Sequence, residues 1–375
     1  VFVQKVEVKA QENVVISPVS VKLVLATLKE GARGNTSSQL ASALGLDDDH
    51  KSRSLTALFA SIIRSLQMPG DGYDLDVGTQ LYVDQNVEPA TDYAGRIKYL
   101  YNATIEKVDF KRAPETVKKI NSWVNSVTKG NIQELISDPN SMKDVVMLLL
   151  NAIYFKGKWE FPFDKEKTKT GDFWVQPQYP VKAQFMSATN SFHYVESPQI
   201  KASILRLPYQ GDKFAMYIVL PDKRNGLMEV IKNMTPDKLR EAKAAMQEYT
   251  VNIKLPKFNF EYTASLADTL QELGVKDMFN GYANFSAMTR NNKNNLFVSN
   301  VLQKAGLEVN EIGSIAYAAT RELIYLPASI YGYVYWVIYI ADFACISLYL
   351  PHYEMFSPIK FRNSLFALIL LFTLF

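Results

Sequence analysis

The sequence predicts an α+β fold: one large domain in which helices and mostly antiparallel sheets occupy successive parts of the chain. Three observations predict it. Helical apolar periodicity dominates the first third, and β-forming runs dominate the residues that follow, up to 309. No linker, low-complexity tract or internal repeat divides residues 1–310.

The elements follow in order. Ser17-Pro18 opens the run VSVKLVLATLKEGARG. Serine caps, proline suits the first turn, and Gly31 follows the last apolar residues, so a helix is predicted there with Val21, Leu25 and Leu28 on its buried face. Residues 37–44 read as a second short helix and 52–66 as a third. Residues 74–83 alternate and carry β-formers, which predicts a strand; 91–100 and 114–128 read as helices. The run VVMLLLNAIYF, 145–155, is almost unbroken in its apolarity and short for a membrane span, so it reads as a strand buried on both faces. Short alternating runs separated by turn residues fill 181–220. Strands resume at 250–262 and 296–309, with a helix near 265–273 between them.

The 375 residues suggest two or three domains by length alone, a range that large single domains overlap. Hydrophobic residues make up 48% and charged residues 21%, a globular and not a disordered balance. The formal charge of +3, from 41 basic and 38 acidic residues, implies no obligatory nucleic-acid partner. Lys118-Lys119 and the lysines of 165–169 are interspersed with acids and read as a solvated face. Cys345 is the one cysteine, so no intramolecular disulfide is possible and stability comes from burial, in either a cytosolic or a secreted setting. No signal peptide is visible, and the opening VFVQKVEVKAQEN lacks methionine, which reads as a processed or partial product. Sequons at Asn35, Asn102, Asn233 and Asn284 permit glycosylation if the chain is secreted.

The C-terminal part differs. Residues 331–350, YGYVYWVIYIADFACISLYL, carry one charge, Asp342; residues 364–375, SLFALILLFTLF, carry none. The tyrosines and the central aspartate weaken the first as a membrane span, and the second is too short to span alone. Exposed on a soluble domain, such a tail is an aggregation hazard.

The residues offer no enzyme signature and no cofactor or metal site. His50, His193 and His352 are far apart and lack metal-ligand spacing, and HExxH, GxGxxG, GxxxxGK[ST] and GxSxG are all absent. PGDG at 69–72 is a turn signal, Cys345 reads as an inert thiol, and the acids of 47–49 read as solvated charge at a helix end. Weight shifts toward a binding or inhibitory protein.

One stretch fits neither a conventional core strand nor a surface loop. In VNEIGSIAYAAT, 309–320, every second residue after Gly313 is small: Ser314, Ala316, Ala318, Thr320. With NVVISPVSVKLVLATLKEGARGNTSSQLASALGL at 13–46, NAIYFKGKWEFPF at 151–163, YANFSAM at 282–288 and KAGLEVNEIGSIAYAAT at 304–320, the chain resembles the serpin family, of insect or arthropod type, over about residues 1–325. The resemblance implies the serpin fold, helices packed on three β-sheets with an exposed reactive loop at about 311–328, and a first helix that is trimmed. It implies a non-enzymatic inhibitor of serine endopeptidases of trypsin or chymotrypsin type. The protease cleaves the loop, which then inserts as a new strand of the main sheet and carries the acyl-linked protease with it.

The resemblance also assigns residues. Glu311, Gly313, Ser314, Ala316, Ala318 and Thr320 match the reactive-loop hinge, with the small residues facing the core after insertion and Gly313 supplying backbone freedom. Ser17, Pro18, Ser20 and Asn151 match the shutter beneath the sheet, and Gln303 stands there where many members have histidine. Trp159, Lys257 and Glu311 match the breach, where insertion begins. Counting on from Gly313 by the family's spacing places the scissile bond near Leu326-Pro327-Ala328.

The pattern departs from the family in two places. Ile312 and Ile315 stand where polar residues are usual, which predicts slower insertion. Proline at the cut site suits a protease poorly, and residues 326–375 do not match the family's C-terminal strands, so the second sheet is expected to lack central strands. The alternatives are therefore a non-inhibitory binding or storage protein, a defective isoform with an aberrant end, or a tail that anchors to a membrane. The chain is expected to be an extracellular monomeric glycoprotein, with a cytoplasmic location as the alternative.

Overall fold

The computed structural model describes residues 13–46, 72–142, 145, 147–176, 179–223, 225–290, 296–298, 301–321, 336–340, 359–360 and 368–374. In the N-terminal part, strand β1 (Asn13–Ile16) leads into α1 (Pro18–Gly31) and α2 (Gly34–Ala43). Ser17 caps α1 as its sequence predicts: its hydroxyl accepts from the Ser20 N–H at 3.4 Å, with proline in the first turn. Then come β2 (Tyr73–Asp84), α3 (Thr91–Tyr101), β3 (Thr104–Val108) and α4 (Ala113–Val127). Helix α4 keeps Val117, Ile120 and Val124 on one buried face.

The middle of the chain is largely strand: β4 (Met147–Lys158), β5 (Lys169–Gln176), β6 (Tyr179–Ser197), β7 (Ala202–Pro208) and β8 (Phe214–Pro221). Helices α5 (Leu227–Asn233) and α6 (Pro236–Ala244) precede β9 (Gln247–Pro256), β10 (Phe258–Ser265), α7 (Ala267–Glu272), β11 (Leu302–Val309) and β12 (Gly313–Arg321). The tail contributes β13 (Trp336–Ile340), β14 (Ile359–Lys360) and β15 (Leu368–Leu374). The expected helix at 52–66 lies outside the described residues.

Hydrogen bonding joins the strands into two sheets. The first runs β10-β11-β12-β4-β2-β3; the second runs β1-β13-β15-β8-β7-β6-β9-β14, with β5 also on β6. Of the three sheets expected, the described residues therefore show two. The reason is the 19-residue β6, whose N-terminal half pairs with β5, whose C-terminal end pairs with β7, and whose middle is bridged along its length by β9. One uninterrupted strand makes two layers a single hydrogen-bonded unit.

The tail corrects another expectation. It does not leave a gap in the second sheet: β15 pairs antiparallel with β8 on one side and parallel with β13 on the other, and β13 pairs parallel with β1. An open edge on β8 would leave a row of backbone groups unpaired, and any extended segment that reaches it satisfies them whatever its sequence.

The larger correction concerns residues 313–321. The reactive loop was expected to be exposed, yet this part is a strand buried in the centre of the first sheet. β12 lies antiparallel to β11 on one side, Val309↔Ser314 through Leu302↔Arg321, and antiparallel to β4 on the other, Gly313↔Lys158 through Arg321↔Leu150. The physical reason is hydrogen-bond satisfaction: two ladders replace solvent, and each bond contributes about 1 kcal/mol net.

Candidate functional site

The site is β12 and what encloses it. Alternation sends Ser314, Ala316, Ala318 and Thr320 to one face. All are buried, at 1%, 3%, 1% and 0% exposure. Ala316 and Ala318 pack among Phe155, Trp159, Tyr209, Ala305 and Leu307. Larger side chains there would overpack a layer already filled by aromatics. The opposite face, with Tyr317 and Ala319, meets Val117, Ile120 and Val124 of α4. Ile315 packs against that same cluster and is half-buried, while Ile312, in the turn before the strand, is 51% exposed.

At the C-terminal end of β12 the residues assigned to the shutter come together. The Gln303 carboxamide accepts from the Ser17 N–H at 2.8 Å and donates both to the Ser17 carbonyl at 3.0 Å and to the Thr320 hydroxyl at 2.9 Å. It thus ties the cap of α1 to β11 and to the inserted strand. Asn151, the register partner of Thr320 on β4, donates to the Gly78 carbonyl at 3.1 Å and the Thr79 hydroxyl at 3.0 Å of β2. Asn151 Oδ1 and the Ser20 hydroxyl are buried without a hydrogen-bond partner. Buried polar groups left so carry a cost of about 1–3 kcal/mol each. Pro18 sits in the first turn of α1 below this cluster.

At the N-terminal end lie the residues assigned to the breach. Trp159, 2% exposed, donates its indole N–H to the Asn310 carbonyl at 3.0 Å and stacks on Tyr209 with ring centroids 4.7 Å apart. The Tyr209 hydroxyl is hydrogen-bonded to the Ser314 hydroxyl. Backbone bonds from Trp159 to Ile312 and from Phe163 to Glu311, each 2.9 Å, fasten the turn before β12. Glu311 is 5% exposed and takes Lys257 Nζ at 2.9 Å and the Thr168 hydroxyl at 2.8 Å. Burial pushes the Glu311 carboxyl up, but the hydrogen bonds from Lys257, its own backbone N–H and Thr168, with the lysine charge, outweigh it and hold the group below the ordinary carboxylate value.

Gly313 is required by close approach. A Cβ there would lie 1.9 Å from the Gly157 carbonyl oxygen, so only glycine lets β12 pass β4 at this point. Sequence reasoning missed Tyr209, Thr168, Asn310 and Thr79. Nothing marks Tyr209 among 21 tyrosines; its role exists only because β7–β8 folds over Trp159.

The scissile residues Leu326, Pro327 and Ala328 lie outside the described residues, as do His50, His352 and Cys345. His193 lies within β6. Among the described residues no group of His, Cys, Asp and Glu could hold a metal ion, and no helix is long and apolar enough to cross a membrane.

Comparisons with known proteins agree with this architecture. The sequence profile described as Serpin (serine protease inhibitor) matches residues 2–334. The chain is 34% identical over 329 residues to "Serine protease inhibitor 2" of Anopheles gambiae, covering 85% of this chain and 80% of that one. It is 35% identical over 326 residues to human "Serpin B3", covering 83% of each. Among solved structures, "Cleaved Serpin 42Da" superposes with a TM-score of 0.77 at 28% identity, covering 83% of each chain. A small-sided strand filling the centre of a six-stranded sheet, the glutamine and asparagine contacts beneath it, and a sequence profile along nearly the whole chain lead to one conclusion: this protein belongs to the serpin family.

Proposed function

We propose that this serpin inhibits a serine endopeptidase by offering residues 311–328 as bait and drawing the cut segment into the sheet as β12. The observation that carries the reading is β12 itself. Its one face is small enough to lie over a filled core, and its backbone is paired on both sides. Ser17, Pro18, Ser20, Asn151 and Gln303 act as the point where β11 and β4 part. Trp159, Lys257 and Glu311 hold the upper end where entry begins. The predicted obstacles are small: Ile312 points to solvent, and Ile315 is accommodated against α4.

The partner is a serine protease of trypsin or chymotrypsin type, the chain acts as a monomer, and it works outside the cell. Supporting an extracellular glycoprotein, Asn102 and Asn284 are exposed; Asn102 is the left-handed cap of α3. Asn233 is half-buried, and Asn35 is committed to Asp277 at 2.6 Å. Glycans are therefore expected first at Asn102 and Asn284.

The test is incubation with trypsin, chymotrypsin and elastase followed by denaturing electrophoresis. A complex that survives SDS is expected; cleavage of the chain with no covalent complex against any of them would remove the inhibitory reading. A second reading, a non-inhibitory binding or storage protein, is favoured by Pro327 at the cut site, since a prolyl amide is a poor protease substrate. It predicts no covalent complex and no gain in thermal stability after loop cleavage.

A further inference from the structure

Within β12 one residue is aromatic. Tyr317 stands between Ala316 and Ala318 and points to the α4 side of the sheet. Its register partner on β11 is Gly306, and the partner of Gly306 on β10 is Glu261. These three residues form one row across three strands, and the tyrosine side chain runs along it. A Cβ at position 306 would lie 2.4 Å from Tyr317 Cζ and 2.5 Å from its Cε2 and Oη, distances no real contact shows, so the ring occupies the space a side chain would need. The hydroxyl reaches past β11 and donates to the Glu261 carboxylate at 3.0 Å, which also takes Lys304 Nζ at 3.2 Å.

This row resolves a problem that the small residues leave open. Ser314, Ala316, Ala318 and Thr320 are nearly interchangeable in size. A slip of β12 by two residues would keep every small side chain on the core face, so the alternation specifies the face and not the register. Gly313 against the Gly157 carbonyl specifies it on the β4 side, and the short turn at 310–312 limits it at the start; on the β11 side Tyr317 specifies it along the strand. After a two-residue slip it would oppose Lys304 or Glu308, the neighbours of Gly306 on that face of β11, and the ring would meet a side chain where it now meets none. The slip would also move Thr320 away from Gln303.

We propose that Tyr317 is a positioning residue: its ring seated on Gly306 and its hydroxyl bonded to Glu261 fix the register in which the cleaved loop enters the sheet. The inference rests on the inhibitory reading, because insertion is the step it governs. Its consequence is the length of chain drawn in. A two-residue slip changes that by about 7 Å, at roughly 3.4 Å per residue.

The test uses the full chain nicked with thermolysin, which cuts before apolar residues such as Leu323 and Ile324, beyond the C-terminal end of β12. Hydrogen exchange of residues 302–321 and the urea midpoint are then measured. In the wild type one protected population is expected. Gly306→Ala is expected to raise the opening rate of β12 about tenfold, equivalent to about 1.4 kcal/mol. In a Tyr317→Ala background the same change is expected to have less than about a twofold effect, because the clash is gone. Tyr317→Ala alone is expected to split the exchange of 313–321 into two populations. Tyr317→Phe, which keeps the ring, is expected to restore a single one. Equal effects of Gly306→Ala in both backgrounds, or a single protected population in Tyr317→Ala, would overturn the register role while leaving insertion intact. Unprotected amides at 313–321 in the nicked wild type would overturn both this inference and the inhibitory reading.

Discussion

Gln303 and Thr320 face each other across β11 and β12 and are joined by a 2.9 Å hydrogen bond, while the same carboxamide holds both backbone groups of Ser17. Thr320 forms this bond only when the strand is in place. Gln303 therefore links the helix cap beneath the sheet to the state of the loop.

Gln303→Ala removes all of these bonds and leaves the buried Ser17 N–H without its acceptor. A loss of about 2–3 kcal/mol in stability is expected, within the range for orphaned buried groups. Urea denaturation of wild type and variant after loop cleavage measures it; a loss below about 0.5 kcal/mol would show that the network is not holding the strand.

Gly313→Ala sets a methyl group against the Gly157 carbonyl, a backbone atom that cannot swing away. The expected cost is at the upper end of the overpacking range, about 3 kcal/mol. It should fall on the start of β12, so exchange protection is lost at residues 313–316 and kept near Thr320. Uniform protection along β12 in the variant would contradict this.

Ser314→Glu places a carboxylate in a buried position beside the Tyr209 hydroxyl. An unpaired buried charge costs on the order of 3–5 kcal/mol. Insertion should slow relative to deacylation, so the protease releases cleaved chain. Electrophoresis of the variant with a protease that the wild type traps should show cleavage and little complex.

The Glu311 carboxyl is held below its ordinary value in the folded protein. Its contribution is therefore present above the unfolded carboxylate pKa, about 4.3, and is lost as pH falls through the folded value. Lys257 is partly exposed, which keeps the contribution near 1 kcal/mol. Glu311→Gln should flatten the fall in stability below about pH 4.5 relative to the wild type, seen as a smaller difference in Tm between neutral and acid buffer.

The sequence was legible where local rules act alone. The Ser17-Pro18 start of α1, the strand at 73–84 and helices α3 and α4 all form within a few residues of their predicted bounds. β1 and β3 were missed because, at 4 and 5 residues, they are too short to show a period. α5 and α6 were missed inside a stretch whose signals are mixed: α6 buries only Ala242. β6 was read as several short runs, since its length depends on partners on both sides and not on its own alternation.

The sequence by itself determined that the segment after Glu311 could become a strand. A glycine followed by alternating small residues has few other uses, and the surrounding motifs place it in one family. Tertiary structure alone decided where that strand lies and what fixes it there. β11 reaches β12 through the short turn at 310–312, whereas β4 comes to its other side from far away in the chain. Gly306 takes the ring of Tyr317, Gln303 takes Thr320, and Tyr209 takes Ser314. Each pairing depends on atoms brought together by packing, and no local propensity encodes it.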